Sequence, residues 1–113
     1  MSTLEEQFVV EPDDGPTLKF TGKLLAEAST TDDVTSLYFS GSTGRWTVLK
    51  LYQTKSGKFI CERVEHNRLF PPITDTQACI FQDRAFVTKF FGWGALAKKL
   101  YEEAGFDFSI NLG

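Results

Sequence analysis

Histidine and cysteine, the side chains best suited to acid–base and nucleophilic chemistry near neutral pH, are scarce in this 113-residue chain, which has one histidine and two cysteines. Its single histidine, His66, could serve as a general base, because an imidazole changes protonation near neutral pH. One histidine does not make a His-rich metal site, and His66 is expected at a strand end beside Trp46. We therefore predict a packing or surface role for His66 and no metal site.

The two cysteines, Cys61 and Cys79, lack the CxxC spacing of redox and zinc motifs. Two such residues are typical of a reducing compartment, so we expect a cytoplasmic protein with free thiols. The neighbours of Cys61 read as a buried strand, where a thiol is inert rather than nucleophilic. A Cys61–Cys79 disulfide is the alternative.

Two glycine-containing segments resemble phosphate-binding loops only superficially. Residues 40–44, Ser-Gly-Ser-Thr-Gly, lack the lysine of a P-loop and precede a strand. Residues 91–94, Phe-Gly-Trp-Gly, have too few glycines for a dinucleotide fingerprint and indicate a corner between helices. The carboxylates show no pattern that pairs two of them across a cleft. We predict no catalytic residue and no cofactor, and hence a protein that is not an enzyme.

The strongest functional signal is an aromatic, mixed-charge face on a predicted β-hairpin. If helices cover only one side of the sheet, this face stays open and has the composition of a recognition surface. We expect it to bind a protein partner or a second copy of the chain; the alternative is burial of this face beneath the N-terminal arm. Its predicted residues are Trp46, Val48, Lys50, Tyr52, Ile60, Val64 and His66.

Two other functions fit parts of the sequence. A small-molecule binder or minor enzyme would use an aromatic pocket between the sheet and the C-terminal helix, lined by Phe90, Trp93, Tyr101 and Phe106. A single-strand nucleic-acid binder would use a basic stripe with interleaved aromatic residues. That stripe comprises Arg45, Trp46, Lys50, Tyr52, Lys55 and Lys58. The net charge of −3 makes nucleic acid an unlikely partner.

The hairpin that carries the proposed face is predicted from its loop. Residues 45–54 and 58–65 flank Lys55-Ser56-Gly57, which suits a three-residue loop with Gly57 in the left-handed conformation. Placing Thr54 opposite Lys58 puts Lys50 opposite Glu62, whereas a two-residue loop would oppose two lysines. We therefore predict the longer loop.

Other strands precede the hairpin. Leu18 to Ala28 alternate apolar and polar residues, as expected of a half-buried strand, and Gly22 marks a bulge or a close backbone approach. Residues 34–39 indicate a further strand, and residues 8–10 a short edge strand within an N-terminal arm at residues 1–16.

The C-terminal third contains the helices. Pro71-Pro72 interrupts regular pairing, and residues 77–82 fit either a strand or the start of a helix. Asp83 is a predicted N-cap, Gly92 a stop and Gly105 a C-cap after an amphipathic helix. A final strand is predicted from the alternation of Phe106, Phe108, Ile110 and Leu112 with polar residues.

Strands first and helices late, joined by short connections, predict an α+β fold. We expect an antiparallel meander of about four to six strands, with one or two C-terminal helices on one face and a short final strand. Residues 17–113 should form a single domain, and no apolar stretch is long enough to span a membrane.

Residues 20–27 (Phe-Thr-Gly-Lys-Leu-Leu-Ala-Glu) and 51–59 (Leu-Tyr-Gln-Thr-Lys-Ser-Gly-Lys-Phe) resemble segments of the small bacterial EXLDI proteins. Leu96 to Ala104 followed by residues 108–112 is similar to that family's C-terminal pattern, except that Phe108 and Asn111 stand where the family has acidic residues. The resemblance implies a bacterial source but no activity, cofactor or catalytic residue.

Overall fold

The computed structural model describes residues 6–30, 45–67 and 73–108. They form an antiparallel sheet with neighbouring strands in chain order, followed by helices, which confirms the predicted α+β meander. The strands are β1 (Glu6–Val10), β2 (Leu18–Ser29), β3 (Arg45–Thr54), β4 (Phe59–Asn67) and β5 (Ile73–Phe81). A 3-10 turn (Arg84–Phe86) then leads into helices α1 (Val87–Phe91) and α2 (Ala95–Ala104).

The β3–β4 hairpin has the predicted register. Lys50 lies opposite Glu62 and Trp46 opposite His66. The loop closes as expected, because the Thr54 N–H donates to the Lys58 carbonyl at 2.8 Å. Gly57 has a φ of 93°, a positive value that glycine adopts without steric strain because it has no Cβ atom.

Residues 77–81, which fit two structures in the sequence, belong to β5. They pair with β4 so that Cys79 lies opposite Cys61 and Phe81 opposite Phe59. Asp83 then accepts a hydrogen bond from the Ala85 N–H at 3.0 Å, which confirms the predicted cap and ends the strand. These residues form a strand rather than the start of a helix because β4 provides a complete antiparallel partner for them.

A bulge in β2 moves its apolar side chains from one face of the sheet to the other. The register shifts between Leu24, which faces Tyr52, and Ala26, which faces Leu51. Tyr52 and Leu51 lie on opposite faces of the sheet. The apolar residues of β2 before Leu25 therefore lie on one face, and those after Leu25 lie on the other. The alternating apolar residues of β2 therefore do not share one face, as they would in a half-buried strand without a bulge.

Gly22 is a site of close backbone approach, and the bulge lies further along the strand. A Cβ atom at Gly22 would stand 2.1 Å from the Gln53 carbonyl oxygen and 2.8 Å from the Thr54 Cα. Both neighbours are backbone atoms, which cannot rotate away. Only glycine fits here.

One face of the sheet is covered by the helices. Leu51 and Cys61 from the central strands are fully buried with Val87 of α1 and Leu100 of α2. Gly92, with a φ of 80°, ends α1 and turns the chain. Gly105, with a φ of 78°, is the predicted left-handed C-cap of α2.

The opposite face is covered by the N-terminal hairpin, β1 with the first half of β2. Phe8 and Phe20 lie 4.8 Å and 5.3 Å from the Tyr52 ring, centroid to centroid. In the loop between β1 and β2, the Asp13 N–H donates to the Thr76 carbonyl at 2.8 Å, and the Thr76 N–H donates to Asp13 Oδ2 at 3.0 Å. In a flat sheet, four strand spacings would separate β1 from β5 by about 19 Å, too far for a loop next to β1 to bond to β5. The sheet is therefore curled into a half-barrel with this face inside.

The N-terminal arm thus contributes a strand to the sheet, as predicted for residues 8–10. The strand predicted at residues 34–39 lies outside the described residues. Of the predicted final strand, Phe106 to Phe108 are not in a strand, and the remainder lies outside the described residues. Phe106 and Phe108 instead pack beside α2.

Replacing Gly22 by alanine should destabilise the protein by about 1–3 kcal/mol, because the added methyl group overlaps the β3 backbone. Gly15→Ala is the matched control, since a Cβ there would make only ordinary contacts with Pro12 at 3.7 Å or more and Gly15 does not have positive φ. Urea unfolding of both variants measures the difference. Equal midpoints would contradict the close approach.

The loop closure should depend on pH. A hydrogen bond with the Asp13 carboxyl group, then partial desolvation, then the charges of Asp13, Glu65 and Asp14, raise the pKa of Asp75. Stability from this group is therefore fully present below its unfolded-state pKa of about 3.9 and is lost as pH rises through the higher folded-state value. Asp75→Asn, whose amide donates without titrating, should raise Tm at pH 7 and leave it unchanged near pH 3.

Glu103→Gln, on the exposed side of α2, makes the same charge change away from the loop and serves as the control. Thermal unfolding followed by circular dichroism at both pH values decides the matter. If Asp75→Asn raised Tm equally at pH 3 and pH 7, the gain would not come from the raised pKa of Asp75.

Candidate functional site

The predicted hairpin face is not an open surface at its centre. Tyr52 is 6% exposed and Ile60 is 1% exposed, because both lie beneath the N-terminal hairpin. The sequence allowed either a recognition surface or burial beneath the N-terminal arm, and for these two residues the structure shows burial in a second hydrophobic core. Covering this face is favourable because both faces of β3 and β4 carry apolar side chains.

Burial also sets the chemistry of Tyr52. Its hydroxyl donates to Glu62 Oε1 at 3.2 Å, so the buried phenol has a hydrogen-bond acceptor. Burial, followed by the Glu62 charge, raises the pKa of Tyr52 well above its usual value. The Tyr52 hydroxyl is therefore a neutral structural donor and is unsuited to act as a base.

The other predicted residues of this face are half-buried: Trp46, Val48, Lys50, Val64 and His66. The indole ring of Trp46 stacks on the His66 ring, with centroids 4.6 Å apart. Lys50 lies between Glu27 of β2 and Glu62 of β4 in the register. These acidic neighbours, with the burial of Tyr52, divide the basic stripe that a single-strand nucleic-acid binder would need.

An exposed aromatic groove lies on the outer side of α2, at its C-terminal end. We use "aromatic groove" for the surface lined by Trp93, Lys98, Tyr101, Glu102, Phe106 and Phe108, which has a volume of about 240 Å³. Trp93, from the corner between the helices, is 55% exposed. Three of the four residues predicted for the alternative pocket are in this groove.

The rings of the aromatic groove pack edge to face. Trp93 lies 5.8 Å from Tyr101 and 5.8 Å from Phe108, and Tyr101 lies 5.1 Å from Phe108, all between centroids. This arrangement brings the positive edge of one ring to the negative face of the next and is worth about 0.5–1.5 kcal/mol per pair. The three rings therefore support one another in a defined geometry.

Tyr101 anchors the groove to the protein interior. It is almost fully buried, and its hydroxyl donates to the Gly92 carbonyl at 2.7 Å. Burial raises the pKa of Tyr101 to about 12. Its hydroxyl is thus already committed to the corner between the helices, and the ring is what it presents to the groove.

Phe90, the fourth residue of the predicted pocket, lies elsewhere. Its ring contacts Phe91 and receives the Arg63 guanidinium 5.1 Å from its centroid, while Arg63 Nη2 donates to the Phe90 carbonyl at 2.8 Å. The space between sheet and helix is filled by buried side chains such as Leu100. Trp93, Tyr101 and Phe106 thus share one groove, in which Tyr101 belongs to the helix-covered core, whereas Phe90 does not line it.

Sequence reasoning missed Lys98, Glu102 and Phe108 as groove residues. The two charges were visible as the polar face of the helix, at i and i+4. Phe108 was assigned to a strand because residues 106–112 alternate strictly, and alternation does not reveal that Phe108 turns back against Trp93.

The cysteines are close in the fold but differ in exposure. They lie opposite each other on β4 and β5 as free thiols, with Cys61 buried and Cys79 exposed. Burial raises the pKa of Cys61 far above that of a free thiol, which makes its thiolate inaccessible at neutral pH. Cys61 is therefore an inert core residue, as the sequence indicated.

Across residues 6–30, 45–67 and 73–108, no three His, Cys, Asp or Glu side chains are grouped so as to hold a metal ion. No helix in the same ranges has the length and apolar character needed to cross a membrane. Comparison with known proteins gives no match to a family, a curated sequence or a solved structure. The resemblance to the EXLDI proteins stays an expectation.

The two thiols should differ sharply in reactivity. In native protein at pH 8, Ellman's reagent should modify Cys79 much faster than Cys61, which should stay unmodified until denaturant unfolds the sheet. Cys79→Ser should abolish the fast phase, and Cys61→Ala should retain it. Two fast thiols in the native wild type would contradict the burial of Cys61.

Proposed function

We propose that this protein is a non-enzymatic interaction module that binds a protein partner through the aromatic groove. The observation that carries the proposal is the exposure of Trp93 beside two further rings held in fixed geometry. Tryptophan and tyrosine are the residues most enriched among the energetic centres of protein interfaces. The occupant is an apolar side chain projecting from a partner segment.

The size and shape of the groove support a side chain over a free small molecule. Its volume of about 240 Å³ is below the roughly 300–1,000 Å³ of ordinary ligand pockets, which enclose most of their ligand. The Tyr101 hydroxyl already donates to Gly92, so it is not available to orient a polar ligand. A side chain delivered by a larger partner does not need to be enclosed or oriented by the groove alone.

Charges on the rim indicate what flanks the apolar anchor. Lys98 and Glu102 stand one helical turn apart on the exposed side of α2. A partner segment with an acidic residue on one side of its anchor and a basic residue on the other matches this pair. Such rim charges select the orientation of the partner and its rate of association more than they add to affinity.

The groove is also preorganised, which lowers the entropy cost of binding. Beyond the edge-to-face rings, the Arg84 guanidinium lies 5.5 Å from the Phe106 ring centroid and 6.0 Å from that of Phe108. Phe106 in turn packs edge to face on buried Phe59 at 5.7 Å. The residues after α2 are thus held against the sheet and the 3-10 turn.

The hairpin face is a weaker candidate for the same function. Its remaining half-buried residues form a strip, and the aromatic centre on which the prediction depended is covered by Phe8 and Phe20. A strip without a central anchor lacks the buried hot spot that interfaces use.

Display selection of random 12-residue peptides tests the proposal. Peptides selected on the wild type should share an apolar anchor flanked by opposite charges, and Trp93→Ala should bind them at least tenfold more weakly, measured by fluorescence anisotropy. Loss of a central tryptophan contact costs more than about 1.4 kcal/mol, which is a factor of ten.

Phe86→Ala is the matched control, because Phe86 is also an exposed ring, at 44%, but stacks on Phe81 and does not line the groove. It should bind the selected peptides as the wild type does. Selection that enriches no peptide, or peptides that bind Trp93→Ala as well as the wild type, would refute the proposal.

A further inference from the structure

Strand β5 is an edge of the sheet, and part of its outer side is open. The N–H and C=O groups of Thr76 point away from β4 and bond to Asp13. Because backbone groups alternate between the two sides of a strand, those of Ala78 and Ile80 point outward as well. Among the described residues, neither has a backbone partner on that side.

Apolar side chains accompany this open stretch. Ile80 is 49% exposed on one face of the sheet, and Cys79 is exposed on the other. Phe86 is 44% exposed and stacks on Phe81 with 6.3 Å between ring centroids. Residues 77–82 include no charge, proline or glycine, the devices by which edge strands usually avoid pairing with other chains.

We propose that the β5 edge pairs antiparallel with β5 of a second copy, about a two-fold axis at Cys79. A two-fold interface requires a self-complementary patch, and an antiparallel strand pair satisfies this requirement. The bonds to Asp13 close the edge at Thr76, and the strand ends at Phe81. Between them lie residues 77–81, centred on Cys79, and the loop between β1 and β2 reaches beside the first two of these residues.

This register defines the contacts. Ala78 of each copy faces Ile80 of the other in a hydrogen-bonded pair, which gives four backbone hydrogen bonds across the axis. The Cys79 residues of the two copies face each other in a non-hydrogen-bonded pair, with Cα atoms about 4.5 Å apart. A register shifted towards the N-terminus of β5 would require the outward groups of Thr76, which Asp13 already occupies.

The aromatic groove takes no part in this contact. None of its lining residues belongs to β5, and the edge bonds use backbone groups. A second copy on β5 and a partner in the groove are therefore separate interactions, and failure of one leaves the other standing.

Sedimentation equilibrium of the reduced protein tests the pairing. The wild type should give twice the chain mass of 12.7 kDa at high concentration, whereas Ala78→Pro and Ile80→Lys should be monomers. Proline at position 78 removes an outward N–H and leaves the ladder with β4 intact, and lysine at position 80 places two charges near the axis. Val9→Lys, which changes an exposed residue of the opposite edge strand, should remain a dimer.

Disulfide trapping tests the register. Copper phenanthroline oxidises two facing thiols to a disulfide, with two electrons passing to two Cu(II) ions and two protons to the buffer. The Cys79–Cys79 bond should form rapidly in the wild type and in Cys61→Ala, and should be absent in Cys79→Ser and much slower in Ile80→Lys. Cα atoms about 4.5 Å apart are within the range that a disulfide spans.

A wild type that is monomeric at all concentrations would overturn the proposal. So would a dimer that persists in folded Ile80→Lys, or a dimer whose Cys79 thiols do not cross-link, since either would place the interface elsewhere. If Ala78→Pro fails to fold, the oligomeric state of Ile80→Lys alone tests the proposal, because that substitution leaves the backbone unchanged.

Discussion

Both faces of the β3–β4 hairpin are apolar, and the rest of the fold depends on covering each of them. Leu51 and Cys61 are on one face, and Tyr52 and Ile60 are on the other. A sheet with two apolar faces needs a layer on each side, because exposing either would forfeit its hydrophobic stabilisation. The helices supply one layer. The N-terminal hairpin supplies the second by curling over the concave face, where Asp13 ties its tip to Thr76.

The bulge at Leu25 makes this double cover feasible. Before it, β2 directs Phe20 toward Tyr52, and after it the same strand directs Ala26 toward the helices. A bulge also increases local twist, which helps the sheet to curl. Gly22, near the bend, lets the β2 and β3 backbones approach closely. One strand thereby contributes to both cores.

Covering both faces decides which surfaces stay available for partners. The aromatic centre of the hairpin is buried in the second core, and the exposed apolar side chains of the described residues include Trp93 beside α2 and Ile80 on the β5 edge, which belong to two separate surfaces. The two surfaces differ in kind. The first is a set of side-chain rings that fits an apolar anchor. The second is a row of backbone donors and acceptors that fits another strand.

Local signals in the sequence determined much of this protein. The Lys55-Ser56-Gly57 loop and the Lys50–Glu62 pairing fixed the central register, and Asp83 and Gly105 marked the ends of the helical region. These features could be predicted because each depends on residues near one another in the chain or on the preferences of a single turn. The tertiary structure alone decided the strand assignment of residues 77–81, the split of β2 between two faces and the position of Phe108. Alternation gives the period of a strand but not which face meets the core, nor where a bulge exchanges the faces. The candidate site followed the same division. The sequence identified Trp93, Tyr101 and Phe106 as an aromatic set. Only long-range packing determined that these residues line an outer groove and that Tyr52 and Ile60 are buried.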